Sequence, residues 1–309
     1  MMVGLDILLA APPLIVMAFG LFLMFRICGE LDLSVDATFT SGAAIVALVI
    51  HAGLSPWLGL LGSMAMGSMI SLAVFLIHRV GMTQYLLASL IVFTGMYSVN
   101  LHILGGATVG LIGLPTIFDI LPGQGDLPRI GLLLAIVAGV ALVLWAFLNT
   151  RFGLTVRAAG RNPLMARANR IDTRLTLLVG ALISGALFAL GGALQVQIQG
   201  YADITMGIGA VIICVAAVFL GELFFPDSGR VAPGLASVVV GGFLYATILT
   251  LALRSGLPPV DLRLATAGIL VVAVILSRPD LKARLRKSAS GTAASVMTAL
   301  QNRRQEKKS

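Results

Sequence analysis

Acidic residues are few in this chain: 13 among 309 residues. Where they fall in apolar sequence is therefore informative. Asp32, Ser34 and Asp36 stand in Leu31-Asp32-Leu33-Ser34-Val35-Asp36, and Asp203 and Thr205 in Ala202-Asp203-Ile204-Thr205-Met206-Gly207. The two segments share a pattern: a small or apolar residue, Asp, an aliphatic, a hydroxyl residue, then Val or Met. Such carboxylates and hydroxyls have two uses in an apolar chain. They cap a helix start by accepting a backbone N–H bond, or they line a polar path and meet a cationic or amino group. A charge in a membrane span costs about 2.5–3.5 kcal/mol on insertion scales. Asp36 sits deepest in apolar sequence and needs one of these reasons; both are open.

Other chemistry is thin. The chain has no G-x-x-x-x-G-K-[ST] phosphate loop and no catalytic nucleophile with a nearby base in sequence. No His, Cys and Asp cluster has metal-ligand spacing, so no metal site, catalytic residue or cofactor is expected. His51 and His78 fall near the ends of apolar runs. His102, close to Asn100, either lines a pathway or bonds a neighbouring carbonyl. Cys28 and Cys214 are far apart and read as packing residues.

The elements that position these residues are long apolar runs. The chain is 58% hydrophobic and only 11% charged, where a soluble domain carries about a quarter. Nine candidate spans follow: Leu5–Ile27, Phe39–Ile50, Trp57–Ile77, Tyr85–Leu104, Arg129–Leu148, Leu175–Gln195, Met206–Leu220, Gly234–Leu253 and Val260–Leu276. The fold class is all-α, a polytopic membrane protein of about eight or nine transmembrane or re-entrant helices. The small-residue series Ser63, Gly67 and Ser71 reads as helix packing. Phe39–Ile50 and Met206–Leu220 are short for a plain crossing, and each follows one of the two polar breaks. Paired, interrupted short spans point to an inverted repeat around a transport pathway.

Charge sets the orientation. The chain carries a net +8, and 15 of its 21 Lys and Arg lie in Arg151–Arg174 and Arg278–Lys308. That is the mark of cytoplasmic loops, and it argues against a nucleic-acid partner, which would need a basic face on a folded domain. Residues 1–277 form the membrane domain, with a cytoplasmic loop at 150–174. Residues 278–309 form a basic cytoplasmic tail, whose Lys282–Lys287 segment can lie on anionic lipid. The N-terminus and Gly105–Pro128 are then expected outside, and His78 and Arg79 inside. The first apolar run has no basic segment before it and is expected to remain as a span.

Within the 150–174 loop, Asn162 followed by Pro163 marks a helix start, and a short helix Pro163–Asn169 is expected. The series Arg151-Phe152-Gly153, then Arg157-Ala158-Ala159-Gly160-Arg161-Asn162-Pro163, then Ala166 and Ile171-Asp172, resembles the coupling-helix loop of bacterial ABC importer permeases. The branch is the one shared by branched-chain amino acid, ribose and other sugar permeases. Gly29–Asp36 resembles the Gly-x-Ile-Asp-Leu-Ser-Val-Gly signature of the sugar members. Asp36 stands where those have Gly, a departure from the sugar pattern. Gly221–Gly242 resembles the family's second inner loop and following helix. The resemblance covers about residues 10–276 and lacks the first helix of the ribose type. Within the branch, the chain looks most like the tryptophan- and tyrosine-type or uncharacterised uptake systems.

The resemblance implies a permease that pairs, usually as a homodimer, over two cytoplasmic ABC ATPase subunits. It also implies a periplasmic or lipid-anchored substrate-binding protein and a bacterial inner-membrane location. ATP hydrolysis would be on another chain, so the permease itself is not an enzyme. Ala159, Gly160, Asn162, Pro163 and Ala166 would belong to the ATPase-docking element, with Arg157 and Arg161 bonding the ATPase groove. Asp32, Ser34, Asp36, Asp203 and Thr205 would border the substrate pathway, for an amino acid or similar small solute. Three rivals differ in class. An ion-coupled transporter would place its ion at Asp36 or Asp203. A lipid-acting membrane enzyme would need a polar catalytic cluster, and a channel would need a selectivity sequence; neither is visible.

Overall fold

The computed structural model describes residues 2–120, 125–225 and 229–256, with isolated positions between 264 and 271. The expected span Val260–Leu276 and the tail 278–309 lie outside the described residues, apart from those isolated positions. α1 (Met2–Leu21) runs on through a π-helical segment, Phe22–Cys28. It is followed by α2 (Val35–His51), α3 (Pro56–Val80) and α4 (Tyr85–Leu104). After β1 (Thr108–Gly110) come α5 (Asp126–Asn149), α6 (Arg151–Arg161), α7 (Pro163–Ala168) and α8 (Thr173–Gln199). The described chain then forms β2 (Tyr201–Asp203), α9 (Ala210–Phe224) and α10 (Val231–Arg254). Six described helices are long and apolar enough to cross a membrane; α2 and α9 are shorter.

α8 is the hub, packed against α1, α2 and α3. Lipid gives no hydrophobic drive between helices, so close backbone approach has to hold them together. A Cβ on Gly67 would overlap the Gly185 carbonyl, and one on Gly185 would overlap that of Gly67. A Cβ on Gly42 would meet Ala189 in the same way. Ser63 adds an interhelical bond, its hydroxyl donating to the Gly42 carbonyl at 2.8 Å. The Ser63, Gly67 and Ser71 series is thus a packing face, with all three residues buried. α4 and α5, by contrast, have only 22% of their apolar windows buried.

α1 and α8 run antiparallel: Gly191 faces Pro13, Gly20 faces Ser184, and Gly180 faces Cys28. The break after α1 therefore lies toward the start of α8, and the break after α8 toward the start of α1. Both breaks are built alike. Gly29 (φ 80°) and Gly200 (φ 76°) end their helices in the left-handed conformation that glycine adopts without strain. Three residues after each comes the Asp, and two further on the hydroxyl residue. The arrangement α1–break–α2 thus recurs, reversed in direction, as α8–break–α9.

Two features differ from the sequence expectations. The 150–174 loop holds a second helix, α6, besides the short one. Its buried Gly153, Val156 and Ala159 recur every third residue, and its arginines take the remaining faces. Meanwhile β1 pairs antiparallel with β2, Thr108 opposite Asp203, which ties the segment after α4 to the second break. Strands of three residues leave too little alternation to be read from sequence.

Candidate functional site

At the first break Asp32 is fully buried. Its Oδ1 accepts from the Ser34 N–H (2.8 Å) and the Ser34 hydroxyl (2.6 Å). The Tyr85 hydroxyl lies 3.4 Å from its other oxygen. At the second break Asp203 repeats the turn, accepting from the Thr205 N–H (2.7 Å) and hydroxyl (2.5 Å). Thr108 donates to its other oxygen at 2.5 Å. The Thr108 and Thr205 bonds hold the Asp203 carboxyl below the usual carboxylate range. Ser34 and Thr205 thus serve their own turns.

Asp36 joins the two breaks. Its Oδ2 accepts from the Gly209 N–H (2.9 Å) and its Oδ1 from the Val211 N–H (2.8 Å). These are donors at the start of α9, which its own N-cap, Gly209, leaves without a side-chain cap. Asp36 is therefore a helix cap, but for the other broken helix. Gly207 packs against the Asp36 backbone and Thr40, where a Cβ would not fit. Beside this junction is a cavity of about 210 Å³ lined by residues including Phe39, Met206, Ala210, Gln195, Gln199 and Tyr245. Its wall carries amides and hydroxyls and no charged side chain among the described residues. The two glutamines are the part of the site that sequence reading missed. They look like ordinary span residues until α2 and α9 are folded against α8.

The residues expected to dock an ATPase split into two sets. Thr150 caps α6 by accepting from the Gly153 N–H (3.1 Å), and Asn162 caps α7 by accepting from the Met165 N–H (3.0 Å). Asn162 and Pro163 therefore open α7 as expected, although it ends at Ala168. The small residues turn inward instead. Ala159 and Ala166 are buried, and a Cβ on Gly160 would overlap the Ile27 carbonyl. Arg157 donates to the Gly229 carbonyl at 2.6 Å, and Arg161 packs on the same glycine. α7 exposes Pro163, Leu164 (78% exposed), Met165 (60%), Arg167 and Ala168, of which Leu164 and Met165 are the large apolar pair. The apolar Leu164-Met165 pair directly after Asn162-Pro163 was the signal available for this. Behind α6, Arg26 at the end of α1 pairs with Glu222 of α9 and lies over the Phe25 and Phe219 rings.

His51, His78 and His102 each place Nδ1 within 2.9 Å of a backbone carbonyl, which for His102 is the carbonyl-bonding alternative. Comparison with known proteins sets the class. Residues 4–275 match the model of the branched-chain amino acid transport system permease component. The chain belongs to this family. The permease is similar to the tyrosine transport system permease protein of Clostridioides difficile, 30% identical over 88% of this chain and 90% of the relative. It is also similar to the D-allose transport system permease protein of Escherichia coli, 25% identical over 85% and 79%. In fold it resembles PsaBC from Streptococcus pneumoniae (TM-score 0.54, 15% identity, 90% of this chain and 92% of that one). A metal-chelate type ABC transporter in an inward-facing conformation gives TM-score 0.51 at 15% identity, over 88% and 83%. The permease is accordingly a multi-pass protein of the bacterial inner membrane and a transport component rather than an enzyme, with ATP hydrolysis on a separate subunit.

Proposed function

We propose that the permease forms the translocation pathway of an ATP-driven importer and docks its ATPase through the exposed tip of α7. The observation that carries this is the mounting of α7. It is capped by Asn162, backed by α6, and presents Leu164 and Met165 outward. α6 in turn lies on the π-helical end of α1, with Gly160 against the backbone of Ile27 and Cys28. A push on α7 would thus reach the first break through rigid, packed elements. A short apolar knob on a helix fits a groove in a partner. α6, α7 and the C-terminus are cytoplasmic in this reading, as the clustered arginines favour. The exposed faces of α4 and α5 leave room for a second copy, which supports a homodimer. A periplasmic or lipid-anchored binding protein would deliver the solute at the opposite end.

The uncharged cavity beside the two breaks supports a small solute, and the likeness to a tyrosine permease favours an amino acid. An ion site at Asp36 is disfavoured, because both carboxylate oxygens already accept backbone N–H bonds.

The test is co-purification with the candidate ATPase in detergent, comparing wild type with Leu164→Glu/Met165→Glu. Wild type should retain a stoichiometric ATPase pair, and the variant should lose it while unfolding at the same temperature. Retention of the ATPase by the folded variant would overturn the docking assignment.

A further inference from the structure

A second cavity, of about 390 Å³, opens at the α6–α7 end of the bundle and lies apart from the junction of the two breaks. Four elements enclose it: the first break, the C-terminal end of α3, the α6–α7 pair and the first turn of α8. Its lining includes three arginines, Arg79, Arg167 and Arg174, and His78, whose Nδ1 lies 2.6 Å from the Thr83 carbonyl. Arg79 and Arg174 have no acceptor for their guanidiniums among the described residues, and Arg167 meets only the Thr173 hydroxyl, at 3.2 Å. Glu30 is the carboxylate in the wall. Asp172 lines an adjoining hollow with Arg167 and Arg174, and its Oδ1 accepts from the N–H groups of Arg174 and Leu175; the three arginines still outnumber the two carboxylates. Positive charge therefore exceeds negative. Met82 in the lining is 93% exposed, and Val80, next to Arg79, is 82% exposed. α3 ends and α8 begins here.

We infer that this cavity binds a phosphate-bearing anion, held by Arg79, Arg167 and Arg174. Guanidinium forks match phosphate oxygens two at a time, and basic pockets between membrane helices take anionic headgroups. Pro163 and Arg167 of the docking helix share the wall with Cys28 and Glu30 of the first break. A bound phosphate would therefore tie α7 to α3 and α8. The site does not depend on the identity of the solute or of the ATPase.

Full-length permease, delipidated in neutral detergent, would be titrated with phosphatidylglycerol, with phosphatidylcholine and with inorganic phosphate, and followed by native mass spectrometry. Arg79→Gln/Arg174→Gln is the comparison; both side chains are exposed, and its unfolding temperature is measured alongside. Phosphatidylglycerol binding that weakens at least tenfold in the variant, while millimolar phosphate fails to compete, assigns the site to a lipid headgroup. Binding of inorganic phosphate that the variant loses assigns it to a free anion. Either result supports the site. Equal retention of phosphatidylglycerol by wild type and a folded variant, or equal binding of phosphatidylcholine, overturns it.

Discussion

Asp36 accepts from N–H groups 173 and 175 residues further on, Gly209 on Oδ2 and Val211 on Oδ1. Losing a partner of a half-buried backbone donor costs about 1–3 kcal/mol. Asp36→Ala should therefore lower the unfolding temperature in detergent, and Asp36→Asn should do so less, since its one remaining oxygen still accepts. If Asp36 instead gripped the solute, the half-saturating solute concentration for uptake would rise with stability unchanged. Asp203 gives a pH signature. Its folded pKa is lowered, so its contribution is present above the unfolded carboxylate value of about 3.9. That contribution is lost as pH falls through the lower folded value. The stability gap between wild type and Asp203→Asn should hold steady above about pH 5 and close at more acid pH; a gap that widens there would contradict the assignment. Both aspartates were visible in the sequence as cap or pathway residues. That Asp36 caps α9 rather than its own helix was not, because the partner is fixed only by tertiary folding.

At the scale of elements, α8 works through small residues. Gly67→Leu would push its side chain into the Gly185 backbone. Overpacking a core costs about 1–3 kcal/mol, and here the obstacle is backbone that cannot rotate aside. The expected result is a drop in folded yield and in unfolding temperature; an unchanged unfolding temperature would contradict it. Most spans were legible because about 20 apolar residues leave few alternatives. α4 was placed at Tyr85–Leu104 as observed. The starts of α2 and α9 were four residues late and four early, since helix ends depend on caps the local sequence does not show. α6 was missed because its buried face is short and made of the small residues Gly153, Val156 and Ala159, which give little apolar signal. Ala159, Gly160 and Ala166, expected to belong to the docking element, pack inward within it, since small residues mark close packing as readily as exposure.

Across the whole molecule, two like-built breaks sit at opposite ends of an antiparallel pair, and their short helices meet at Asp36. That geometry gives one end to α6 and α7 and the other to β1 and β2, with the uncharged cavity beside the junction. Such a layout suits alternating access driven by a push at one end. The repeat was legible in six residues on each side, because the Asp-x-Ser/Thr turn is a local motif. The pairing of β1 with β2 and the polar lining of the cavity were not, since residues far apart in sequence make them. The most direct measurement is uptake of a panel of labelled amino acids, tyrosine included, into proteoliposomes holding the permease with its ATPase and binding protein. Uptake should require ATP and both partners, survive collapse of proton and sodium gradients, and fall at least tenfold with Leu164→Glu/Met165→Glu. Uptake by the permease alone, driven by an ion gradient without ATP, would contradict it.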